Sequence, residues 1–283
     1  MQPKSGDPNE NGHFEPVHEA HAIEQVQFVL QFDRSLDDAT FLEVRKIAEQ
    51  FISELPARSD IQSFGVAIGA SVSVGPISSS PSIGGVMFRR VQPDETVESE
   101  LRIERTSVAF RTTLYTRWDA VWARSRKYFD AIVPKYVGQA RISGISLNFI
   151  DKFVWSGAID KCRPNLLLRP ASTYLCPHVY TAQDLWHSHT GAFIRVDNNT
   201  KRLFNVNVAL NDESRLDESR RAVAITTVMT DLMNQPGYVS SEVAAENVAE
   251  FLNDHMKQLH LFGKKLFSNI INDEMCKRIA LVN

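Results

Sequence analysis

Cysteine is scarce: Cys162, Cys176 and Cys276 are the only three. An odd, sparse set does not build a disulfide framework and fits a reducing compartment. Long apolar runs are missing too. None approaches the roughly 20 residues that span a bilayer, and the opening stretch MQPKSGDPNENGHFEP has no apolar segment of the secretory type. A cytoplasmic protein with no membrane partner is therefore expected. An excess of one charge is also lacking. Lys and Arg number 31 against 34 Asp and Glu, a net charge of −3, so nucleic-acid binding is not indicated by net charge, although a local basic patch stays open. Short catalytic signatures are absent as well: the chain holds no GxSxG elbow, GxxxxGK[ST] loop, HExxH or CxxC.

What is present is ordinary for a globular chain. The apolar fraction is 43% and the charged fraction 23% over 283 residues, enough for one large core or two smaller ones. The pattern is organised around Arg141 to Val154, RISGISLNFIDKFV. Its alternation, with β-branched and aromatic residues, predicts a long central strand. Before it, residues 1–20 are polar and read as a flexible arm. Val26–Phe32 predicts a strand, and 39–55 a helix capped by Asp38. A strand is expected over 62–74 and a Ser- and Gly-rich loop over 76–85. Another strand is expected over 85–91, and a bent strand or hairpin over 100–115. Trp118 to Val137 predicts a second helix, capped by Thr116 and closed by Pro134. The order suggests mostly antiparallel pairing, with a first half like a split βαβ unit.

Beyond Val154 the pattern loosens. Asp197-Asn198-Asn199 between two extended runs predicts a hairpin. Residues 214–221 read as a charged surface loop, and Ala222 to Met233 as a strand pairing back onto that hairpin. Apolar residues from Val243 to Phe267 recur at helical spacing and predict the longest helix. Asn272 caps a last short one. The fold class is α+β, with mostly antiparallel sheets, helices packed on one face and a long C-terminal helix. The organisation is an arm (1–20), an N-terminal α+β domain (21–155) and a C-terminal hairpin and helix unit (156–283) packed on or continuing the first.

Two groups of polar residues stand out. Arg89, Arg102, Arg111, Arg141, Asn148, Asp151 and Lys152 fall on strands, where an uncovered sheet face would present them to an acidic partner or a phosphate backbone. The plainer account is a solvated face with Glu98, Glu100 and Glu104 as cross-strand partners, and Arg141 with Asp151 as a structural pair. His178, His187 and His189 fall within twelve residues, near Cys162, Cys176 and Asp184, and have the chemistry of zinc ligands without a motif spacing. Tyr115 and Trp118 are candidates to face a ligand, whereas Trp122 continues an apolar stripe. His260 and Glu274 would meet if the last helix folds back.

Three short stretches carry a resemblance. Tyr115 and Trp118 open the second helix. Arg141, Gly144, Asn148 and Ile150 lie in the central strand. Leu259-His260, Phe267 and Ile271-Asn272-Asp273-Glu274 lie near the C-terminus. At these residues the chain resembles a sporadically distributed family of uncharacterised bacterial proteins, from about residue 20 onward. It departs at Asn148-Phe149-Ile150-Asp151, where that family has a Tyr-Ile-Asn type core. The resemblance implies the same fold and supplies no activity. Some members resemble passengers of mobile or defence-related gene neighbourhoods, which implies a bacterial defence or toxin–antitoxin-like setting. With no catalytic constellation and no cofactor expected, the favoured function is a non-catalytic binding or regulatory component recognising a protein partner. A homodimer is compatible with it. The alternative is a metal-dependent or nucleic-acid-processing enzyme built on the histidines.

Overall fold

A computed structural model describes residues 12–63, 82–182, 184–215, 218–240 and 242–281. Its strands are β1 (Phe14–Pro16), β2 (Ile23–Phe32), β3 (Ala57–Ser63), β4 (Ser82–Val91), β5 (Val97–Glu104), β6 (Ser107–Thr112), β7 (Ile142–Trp155), β8 (Trp186–Arg195), β9 (Thr200–Arg215) and β10 (Glu218–Met233). Its α-helices are α1 (Asp38–Ala48), α2 (Trp118–Val137), α3 (Val248–Ser268) and α4 (Asp273–Arg278). Among the described residues the strands form one ten-stranded sheet in the order β3-β4-β5-β6-β2-β7-β10-β9-β8, with β1 added beside the end of β7. Every described pairing is antiparallel. The α+β class, the antiparallel sheet, the one-sided helices and the long C-terminal helix are as expected. β2 and β3, joined through α1, run in the same direction with β6, β5 and β4 between them, so the crossover is split by three strands.

The core follows from strand alternation. Val26, Phe28 and Leu30 of β2, Val108 and Phe110 of β6, Ile145 and Leu147 of β7, and Val223 and Ile225 of β10 are buried on the helix-covered face. α1 adds Phe41 and Val44, α2 adds Phe129, Ile132 and Tyr136, and α3 adds Leu252, Met256 and Leu259. Together they make one contiguous cluster. The C-terminal unit continues the first sheet, since β10 pairs with β7 over eleven positions from Ala222↔Val154 to Leu232↔Gly144.

Several boundaries move for local reasons. The described part of the arm is docked: Phe14 is buried and pairs with Trp155, with their rings edge to face. The cap of α1 is Asp37, whose carboxylate accepts from the Thr40 amide, rather than Asp38. α2 begins after Arg117 with no side-chain cap, so Thr116 does not fill that role, and the helix runs on through Pro134. The described ends of 214–221 extend β9 and β10 into a long ribbon instead of a loop. The Asp197 hairpin forms as expected, its carboxylate accepting from the Asn199 and Thr200 amides. Most of the strand expected over 62–74 and of the loop expected over 76–85 lies outside the described residues.

One buried ion network ties α3 to the sheet. Arg202 of β9 donates from Nε and Nη2 to Asp231 of β10 at 2.6 and 2.9 Å, and His255 of α3 donates from Nδ1 at 3.0 Å. Burial pushes the Asp231 carboxyl up, but the bonds from His255 and Arg202 outweigh it and hold the group below its ordinary range. Removing one member strands a buried charge, which typically costs about 3–5 kcal/mol. Asp231→Ala is therefore expected to lose about that much stability in denaturant unfolding. A loss below about 1 kcal/mol would mean that the pair is not desolvated.

Candidate functional site

The open face of the sheet holds five of the seven strand residues named above, and three of them, Arg102, Arg111 and Lys152, are ion-paired there. Arg111 donates from Nε and Nη2 to the two Glu100 oxygens at 3.1 and 3.2 Å, and from Nη1 to Gln25. Arg102 bonds Glu104. Lys152 reaches Glu24 at 3.1 Å and Glu213 at 2.6 Å. Asn148 donates to Gln27. Arg89 lies opposite Glu100 in the register. Arg111–Glu100 is a cross-strand pair of the plainer account, whereas Arg102–Glu104 lies within β5 and Lys152 meets Glu24 and Glu213 instead.

The other two residues belong elsewhere. Arg141 stands just before β7 and clamps Asp33, its amide on Oδ1 at 2.8 Å and its Nε on Oδ2 at 3.0 Å. The expected Arg141–Asp151 pair is not made. Asp151 has the opposite strand parity from Asn148 and Lys152, so it joins Leu147, Phe149 and Phe153 on the helix-covered face. A carboxylate therefore stands in an apolar row.

The histidines do not gather. His178 Nε2 donates to the His187 carbonyl rather than sharing a centre with that ring. Among the described residues no three His, Cys, Asp or Glu side chains converge as a metal would need.

Asp151 instead borders a cavity of about 360 Å³, a size typical of small-molecule pockets. Six stretches of the chain build it. His21, Ala22 and Ile23 come from the entry to β2, and Tyr115 and Arg117 from the β6–α2 connection. Trp118 and Asp119 open α2, while Phe149 and Asp151 of β7 and Thr227 of β10 supply the sheet side. The α3 residues His260, Gly263, Lys264 and Phe267 are spaced three, one and three apart, which puts them on one face of the helix. Ile279, Ala280 and Leu281 close the ring after α4. Gly263 allows the close approach of helix and sheet: a Cβ there would meet Met229 Sδ at 2.9 Å.

The walls are aromatic. The Trp118 and His260 rings stack nearly parallel, centroids 4.0 Å apart, and Tyr115 sits edge-on to Phe149. His260 thus meets Trp118, and no described contact joins it to Glu274. Trp122 packs in the core, its indole donating to Asn253 of α3. Tyr115, Trp118, His260 and Phe267 lie around this one cavity.

Electrostatically the lining is unusual. Asp151 is 4% exposed and, among the described residues, has no hydrogen-bond or ion-pair partner. Burial pushes its carboxyl up to about 8. Burial, then the Asp151 charge, pushes the Tyr115 phenol up to about 12. Burial, then the Lys264 charge, pushes His260 down to about 4. Burial and then His18 lower His21, whose Nε2 donates to the Tyr115 carbonyl at 3.0 Å. At neutral pH the interior therefore carries a mostly protonated acid, a neutral imidazole and a phenol.

No protein-family model matches the chain, and no curated protein sequence matches it.

The Asp151 shift has a stability signature. The folded carboxyl keeps its proton to about pH 8, whereas the ordinary group loses it near 3.8. Between those values the folded state binds more protons, so this group lowers stability as pH rises. Asp151→Asn removes the dependence. The variant's stability relative to the parent is expected to climb from pH 5 to pH 8, by up to about 1.4 kcal/mol per pH unit, then level off. Thermal or denaturant unfolding across that range tests it; a pH-independent gap would show that Asp151 ionises normally.

Proposed function

We propose that this protein is a non-catalytic binding or regulatory component whose ligand site is the Asp151 cavity. The observation that carries the reading is the unpartnered, buried carboxyl bordering a hollow of small-molecule size. Such a group has no protein partner among the described residues, and a ligand in the hollow would supply one. The chemistry around it favours binding over turnover. Nucleophilic catalysis uses a reacting group activated by an adjacent base, and Asp151 has no such partner among the described residues.

The same reading gives the protein a macromolecular partner. β8 is the last strand of the sheet, and Phe193 and Ile194 on it, with Leu185 and Val196 beside it, are exposed apolar residues. An unpaired edge with apolar side chains supports recognition of a protein strand, either from another protein or from a second copy of this chain. The family resemblance supports a bacterial defence or toxin–antitoxin-like setting. No helix among the described residues is long and apolar enough to cross a membrane.

Native mass spectrometry of the protein captured from its own cells tests the reading. The expected spectrum shows a small molecule at fixed stoichiometry, released chemically unchanged on acid denaturation and absent from Asp151→Asn. Conversion of that molecule during incubation would replace binding with catalysis. A bare chain that also shows no thermal shift with any member of a metabolite library would overturn the cavity as a ligand site.

A further inference from the structure

We propose that the cavity takes a small organic cation, its ammonium group ion-paired to the Asp151 carboxylate and its apolar body held among Tyr115, Trp118, Phe149 and Phe267. The inference rests on the reading of the cavity as a ligand site and adds the chemical class of the ligand.

Three observations lead to it. First, the only polar group in the apolar row of β7 is an acid. Leu147, Phe149, Phe153 and Trp155 share its face, all buried. A cation converts the protonated acid into an ion pair, whereas a neutral or anionic ligand leaves it protonated and exchanges at most a hydrogen bond with it. Second, among the described residues no hydrogen bond or ion pair to Asp151 is formed, and its upward shift has burial as its one cause. His260 is neutral at pH 7, so it does not compete. Third, four aromatic rings, Tyr115, Trp118, Phe149 and Phe267, line the cavity. A cation within about 6 Å of an aromatic face is attracted by the ring quadrupole, and more strongly when desolvated. A quiet apolar core filled by a carboxylate accounts for none of these together.

The proposal carries a proton-linked signature. The titratable and charged groups facing the cavity are His21 before β2, Tyr115 and Arg117 in the β6–α2 connection, Asp119 of α2, and His260 and Lys264 of α3. Thr227 of β10 and the 279–281 segment add none. These groups surround Asp151, whose carboxyl, pushed up to about 8 by burial, changes charge between pH 7 and pH 9. An ammonium ligand binds the ionised form, so the carboxyl releases its proton to solvent as the ion pair forms. Nearly one proton should leave per ligand at pH 7, and affinity should rise about tenfold from pH 7 to pH 9.

Isothermal titration of the full chain tests this, with phenethylamine as the ammonium probe and 2-phenylethanol as its neutral counterpart. Buffers of different ionisation enthalpy count the proton. The expected result is binding of the amine with proton release, at least tenfold weaker binding of the alcohol, and loss of amine binding in Asp151→Asn. Trp118→Leu should weaken the amine several-fold and leave the pH profile in place. Equal binding of amine and alcohol, or amine binding that survives Asp151→Asn, would overturn the cationic class and leave the cavity as a site for neutral ligands. Failure of both probes at millimolar concentration, in protein shown to be folded, would overturn the proposal and the cavity reading with it.

Discussion

A wide sheet covered by helices on one face makes strand parity the governing constraint. Each residue on β2, β4, β5, β6, β7, β9 and β10 either enters the shared core or faces away from it. A shift of one position would exchange the two sets completely. β7 sits near the middle of the sheet, between β2 and β10, and β1 extends its pairing at one end. Its phase is therefore set by three partners at once. That phase places Asn148 and Lys152 among the polar contacts of the open face and Asp151 among the helices.

Two buried acids show how differently the same layer can treat a carboxylate. Asp231 and Asp151 both point toward the helices, on neighbouring strands. Asp231 is met by the fork of Arg202 and by His255, and it is held ionised as a structural tie between α3 and the sheet. Among the described residues Asp151 meets neither a cation nor a donor, and it borders the cavity. Burial costs both groups their hydration. Only one of them recovers the loss within the chain. This contrast separates a site from a strut, because a paired buried charge explains itself and an unpaired one beside a cavity does not.

The open face makes the opposite point. A set of arginines and a lysine on adjacent strands looks like an anion-binding surface when it is read as a set of cations. Glu100, Glu104, Glu24 and Glu213 stand within bonding distance of Arg111, Arg102 and Lys152. Partly exposed pairs of this kind contribute little to stability, but they cancel the field that a phosphate backbone would need. The candidate site therefore moves from the exposed polar face to the covered apolar one.

Much of the architecture was legible from periodicity alone. The helical spacing over α2 and α3, the Asp197 hairpin, the Asn272 cap and the strand nature of β10 follow from local chemistry that tertiary contacts did not override. The clue to Asp151 was also present: Ile145, Leu147, Phe149, Phe153 and Trp155 have its parity, so alternation places it with the core and not with Asn148. Other features depended on contacts far apart in the chain. Phe14 is held by Trp155, Arg141 by Asp33, and His260 by Trp118, and residues from 21 to 281 close one cavity. The sequence by itself determined which segments are strands and helices, and which face of each is apolar, because those properties repeat over two to four residues. Only the tertiary structure decided which acid was paired and which was left facing a hollow, because a counter-charge is supplied across space by whichever element the fold brings near.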